Sequence, residues 1–88
     1  LWRMKLSVIR HLLKFTEEND VDFLTESLDV LEHMIDARGM TEEEIDVIGE
    51  IMSNMLGAKE VLKDIESGTS ERDALNKFMK KVTSVGKE

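Results

Sequence analysis

The stretch MTEEEIDVIGEIMSNMLGAKEVLKDIESG, residues 40–68, decides how the rest of the chain must fold. Thr41 stands where an N-cap hydroxyl is wanted, Glu44 follows three residues later, and Met40 and Ile45 flank them: a capping box with a hydrophobic staple. Glu42, Glu43 and Glu44 place negative charge at the positive end of the helix dipole. No breaker follows until Ser67-Gly68, so one helix of about 26 residues, roughly 39 Å long, is expected. Its apolar residues do not keep to one stripe. Ile45, Ile48, Met52, Met55 and Leu56 share a face, whereas Ala58, Val61, Leu62 and Ile65 lie about 80° around from it. A long helix with two differently aimed stripes needs different neighbours along its length. The expectation is a spine, with its first half against the first two helices and its second half against the last.

The same stretch carries small residues at four-residue spacing: Gly49, Ser53 and Gly57. A glycine inside a helix costs about 1 kcal/mol relative to alanine, so two of them require a return. Close approach of another helix supplies one. Two readings stand: close packing, or a bend near Gly57, within one chain, and a two-fold contact between the third helices of two copies.

Three shorter helical segments surround the spine. From about residue 5 to 18, Leu6, Ile9, Leu12 and Leu13 recur at helical spacing, and Val8 and Phe15 widen the face. Asn19-Asp20 offers a cap for a second helix over 21–38, whose seam is Val21, Leu24, Leu28, Leu31 and Ile35, with Gly39 as its stop. Ser70 and Asp73 suggest another capping box before a fourth helix, with Ala74, Leu75, Phe78, Met79, Val82 and Val85 on its apolar face and a fraying tail at 86–88. No period-two alternation appears. The expectation is all-α: one domain over residues 1–88, a compact four-helix bundle-like unit with a long third helix as spine and antiparallel neighbours.

Charge narrows the partners. The net charge is −7, which disfavours phosphate backbones and so nucleic acid. The charge is unevenly spread: residues 17–50 hold 13 acids against Arg38 alone, while residues 1–16 carry four cations and no acid. Basic and acidic segments brought together by a bundle can attract one another; a basic docking surface is the other reading. No apolar run approaches the ~20 residues that span a bilayer, so no membrane is expected. The absence of cysteine removes disulfides, thiolate metal sites and thiol nucleophiles, and points to an intracellular setting.

Candidate chemistry is sparse. Asp29, His33 and Asp36, with Glu26 and Glu32 near them, fall at three- and four-residue spacing on the second helix. His and carboxylates suit a divalent ion such as zinc or iron. A ferritin-like site, however, wants Glu and His three apart and facing inward. Here Glu32 and His33 are adjacent and the seam is apolar, so the reading is a solvated acidic face and no metal. No catalytic motif, phosphate loop or dinucleotide fingerprint occurs, so no enzyme and no cofactor are expected. Met34, Met40, Met52, Met55 and Met79 lie on or beside apolar faces; core filling is favoured over an adaptable binding surface.

DVIGEIMSNMLGAKEV at 46–61, ALNKFMKKV at 74–82 and the start MKLSVIRHLLKF at 4–15 resemble a set of short acidic helical proteins of Bacteroidetes-type bacteria, known only as a domain of unknown function. The resemblance implies a cytoplasmic bacterial protein and an extension at Leu1–Arg3; it carries no active residue. The functional expectation is a non-enzymatic helical protein acting by protein–protein contact. Self-association through Gly49, Ser53 and Gly57 comes first, with an acidic regulator docking on a basic partner, or a metal-binding helical domain, as alternatives.

Overall fold

A computed structural model describes residues 4–86, with side chains through Val82; Leu1–Arg3, the Val85 side chain and the 87–88 tail lie outside what is described here. Four helices follow one another: α1 (Leu6–Glu18), α2 (Asp22–Ile35), α3 (Glu42–Glu66) and α4 (Glu71–Gly86), with no strand among the described residues. α3 is the longest, and each of the other three packs against it. The molecule is a helical bundle built on a spine.

Local chemistry explains the boundaries. Thr41 Oγ1 accepts from the Glu44 N–H at 3.1 Å and Glu44 Oε1 accepts from the Thr41 N–H at 3.0 Å, so both arms of the expected capping box are made. Ser70 Oγ accepts from the Asp73 N–H at 3.2 Å at the head of α4. Asp20 Oδ1 accepts from the Asp22 N–H at 3.1 Å and opens α2. α2 stops at Ile35, three residues before the expected end. The Asp36 and Ala37 N–H groups donate to carbonyls three residues back, a tightening that ends the α-helical pattern. The turn then passes through Gly39 at φ +89°, and Gly68 at φ +111° makes the equivalent turn after α3. Both lie in the left-handed region that glycine enters without strain.

The core joins the helices around the second half of the spine. Ile9 and Leu13 of α1, Leu24 of α2, Ala58 and Val61 of α3, and Ala74, Leu75 and Phe78 of α4 form one buried cluster. Ile9, Ala58, Val61 and Ala74 are wholly inaccessible. Lys77 Nζ lies 3.6 Å from Asp64 and Lys81 Nζ 3.3 Å from Glu60, which sets α4 antiparallel to α3. The basic last segment therefore does meet acids of the spine inside one chain.

α1 departs from expectation. Its first N–H, that of Lys5, donates to Asn54 Oδ1 at 2.8 Å, and Ile9 lies against Gly57. α1 thus begins opposite the middle of α3 and shares the second half of the spine with α4 instead of covering the first half. Leu56, expected on the buried face, is 53% exposed. The result is a flat molecule of 44 × 35 × 18 Å. Its radius of gyration, 13.8 Å, exceeds the ~12 Å of a compact domain of this length.

Candidate functional site

The small-residue strip lies inside the chain. Gly49, Ser53 and Gly57 are all buried. A Cβ built on Gly57 would stand 3.0 Å from Ile9 Cδ1 and 3.0 Å from Phe78 Cζ, with Phe78 Cε2 at 3.1 Å. α1 and α4 therefore close on the spine here from two sides. Of the two readings of the strip, close packing within one chain is what Gly57 displays. While α1 and α4 are seated, a third helix of a second copy has no access to it.

Beside Gly57 sits a residue that the sequence reading did not single out. Asn54 is 7% exposed, and its amide is engaged at both ends: Oδ1 accepts from the Lys5 N–H and Nδ2 donates to the Glu50 carbonyl at 2.9 Å. It serves as a cap supplied from another helix, since Lys5 at the head of α1 makes no side-chain cap of its own. An uncharged amide between Ser53 and Met55 gives no signal of this in the sequence; only the arrival of α1 reveals it.

Asp29, His33 and Asp36 are exposed on α2. No group of three or more histidines and carboxylates converges on a metal-sized site among the described residues. Asp36 is the C-cap of α2, one residue beyond its last helical position. The three share a helix side as their spacing implied, and nothing from another element joins them.

The surface feature that stands out is apolar. Val47 and Ile51 on α3 are 55% and 43% exposed, and Val30 and Phe23 on α2 are 60% and 54% exposed. One groove runs between α2 and α3, lined by Phe23, Ser27, Val30, Leu31, Ile51 and Met55. A second runs between α1 and α3, lined by Val8, Leu12, Val47, Ile51 and Met55. Ile51 and Met55 border both, so the two grooves are halves of one face with the α3 ridge as its floor. Val47 continues it to a third hollow with Met34, Met40 and Ile48. At the other end, Phe15 and Phe23 meet edge to face, with ring centroids 5.8 Å apart, and tie α1 to α2.

This face follows from the fold. α1 starts opposite Asn54, so the first half of α3 lacks the helix that was expected to pack on it, and Val47 and Ile51 stand exposed there. The methionines also stand differently from expectation. None of the six is in the buried class, and Met34, Met40 and Met55 line the grooves. Core filling holds for the inner sides of Met4, Met55 and Met79, which pack against the buried cluster; Met34 is 43% exposed. Val8, Phe23, Val30, Val47 and Ile51 stand together around the two grooves and Met34 beside the third hollow, an exposed apolar grouping larger than the single apolar residues common on a monomer's surface. The charged groups around the grooves are mostly acidic: Glu26, Glu43, Glu44 and Glu50, against Lys5. No described helix is long and apolar enough to cross a membrane.

Residues 4–85 match the model of a family of unknown function (DUF6952), and the chain belongs to that family. Neither a curated protein nor a solved structure matches it.

Proposed function

We propose that this member of the DUF6952 family is a non-enzymatic helical protein that acts by protein–protein contact, and that the contact is made by the apolar face of α1, α2 and α3. One observation carries the reading: five large apolar side chains, Val8, Phe23, Val30, Val47 and Ile51, each between 37% and 60% exposed, line two grooves that share Ile51 and Met55. Leaving that much apolar surface in water costs stability in a chain of 88 residues, whose core is small. Burial against a partner recovers it. Flexible methionines beside the grooves suit an adaptable contact.

The lining also speaks for binding over catalysis. Catalytic sites set converging polar groups in a concavity. These grooves are walled by aliphatic and aromatic side chains, and the buried amide nearest them, Asn54, is fully engaged in holding α1. The setting we propose is the cytoplasm of Bacteroidetes-type bacteria; the cysteine-free composition and the resemblance of segments 4–15, 46–61 and 74–82 support it.

The test is a tagged capture from native cell extract with two baits, the wild type and the Val30→Asp/Ile51→Asp variant. Both substituted positions are exposed, so the variant should keep its helical spectrum and melting temperature. The expected result is a set of proteins retained by the wild type and absent from the variant. The same proteins on both baits would remove this face from the function.

A further inference from the structure

The apolar face has a charged border, and the border narrows the occupant. Glu26 lines the α2–α3 groove, Glu50 the α1–α3 groove, and Glu43 and Glu44 the hollow beyond Val47; Lys5 is the single cation among these linings. Glu44 is occupied by its capping bond to the Thr41 N–H. Glu26, Glu43 and Glu50 enter no ion pair among the described residues, unlike Asp64 and Glu60, which meet lysines of α4. Two lysines of α4 therefore pair with acids of the second half of the spine, while the glutamates bordering the apolar face outnumber its one cation, Lys5.

We infer that the face seats one amphipathic helix of a partner protein whose polar flanks are basic. The inference rests on the reading of this face as a contact surface and adds the chemistry of what fills it. The shape agrees. From Phe23 to Met34 the α2 wall runs eleven residues, about 17 Å, which is three turns of a docked helix. Apolar anchors at three- and four-residue spacing would enter the grooves on either side of Ile51, with Lys or Arg alongside reaching the glutamates. A second copy of this chain is the weaker occupant. A two-fold contact repeats the same patch on both sides and sets Glu26, Glu43 and Glu50 of one copy among those of the other, between two molecules of net charge −7.

The experiment uses the full chain and a defined probe: an 18-residue leucine–lysine peptide in helical register, with its leucine–glutamate counterpart as control. Binding is followed by titration calorimetry and assembly by sedimentation velocity. The wild type should bind the lysine peptide one to one and ignore the glutamate peptide. Glu26→Gln/Glu43→Gln/Glu50→Gln should weaken binding by about tenfold and flatten its salt dependence. Removing equal charge elsewhere, with Glu32→Gln/Glu66→Gln/Glu71→Gln, should change it by less than about twofold. Equal losses from the two triple variants would overturn the inference, because the attraction would then be one of net charge. A wild-type dimer that Ile51→Asp converts to monomer would also overturn it, naming the second copy as occupant while sparing the contact surface. If Val30→Asp/Ile51→Asp binds the lysine peptide as the wild type does and sediments as it does, the contact surface itself is lost and the inference goes with it.

Discussion

Replacing Gly57 with alanine sets two opposed effects against each other, and the structure says which prevails. At an open helix position the change would stabilise by about 1 kcal/mol through helix propensity. At Gly57 the new methyl would meet Ile9 Cδ1 and Phe78 Cζ at 3.0 Å and Phe78 Cε2 at 3.1 Å, where ordinary contact begins at 3.4 Å. Ile9 is wholly inaccessible and Phe78 is 7% exposed, so neither has free space to retreat into. Overpacking of this kind costs about 1–3 kcal/mol. The balance is a net loss between about zero and 2 kcal/mol, or several degrees in melting temperature for a domain of this size. Urea unfolding followed by circular dichroism at the helical band measures it. A double-mutant cycle identifies the cause. Ile9→Val deletes the Cδ1 atom and alone should cost about 0.5–1.5 kcal/mol. In the Gly57→Ala background it should cost less by at least ~0.5 kcal/mol, since it also relieves the clash. A Gly57→Ala variant stabilised by a full kilocalorie, with no coupling to Ile9, would refute the close approach of α1 and α4 to the spine.

Three further outcomes can be checked on the same unfolding assay. Thr41→Ala removes one arm of the capping box and should destabilise by ~1 kcal/mol; no change would mean that α3 does not depend on this cap. Asn54→Ala leaves the Lys5 N–H without its partner and should cost about 1–3 kcal/mol, with amide exchange faster in the first turn of α1 than elsewhere. Equal protection across α1 would show that the cap is not what holds it. Glu26→Gln, Asp29→Asn and Asp36→Asn together should leave the melting temperature unchanged or raised at low salt, by a few tenths of a kcal/mol for each like-charged pair relieved. A large loss instead would reveal that these exposed carboxylates hold a cation.

Local signals in the sequence reached the helices and the spine they pack on, but not where α1 docks along it. The α3 cap was legible because Thr41 and Glu44 interact across three residues, and both hydrogen bonds appear as the spacing requires. Leu24 and Leu28, and Ala74, Leu75 and Phe78, stand on faces that helical periodicity identifies without any knowledge of neighbours, and all five are buried. The end of α2 was read too late because Asp36, Ala37 and Arg38 contain no breaker, and the tightening to three-residue bonds leaves no mark in composition. Val47 and Ile51 went unassigned for a related reason. They lie beside the stripe of Ile45, Ile48 and Met52, and a sequence gives the direction of a side chain on its helix without saying where the next helix begins.

That missing quantity, the docking point of α1, connects the core to the candidate site. Asn54 fixes the first N–H of α1 opposite the middle of α3, and Gly57 admits Ile9 one turn later. Moving α1 toward the head of α3 would cover Val47 and Ile51, but it would strip Asn54 of its partner and take Ile9 out of a cluster where nothing of it is exposed. The apolar face therefore follows from where α1 docks on the spine. The small-residue strip carried two readings, close packing or a bend within one chain and a two-fold contact between copies. Gly57 is where Ile9 of α1 and Phe78 of α4 close on the spine from two sides, and the apolar side chains left exposed, Val47 and Ile51, lie nearer its head.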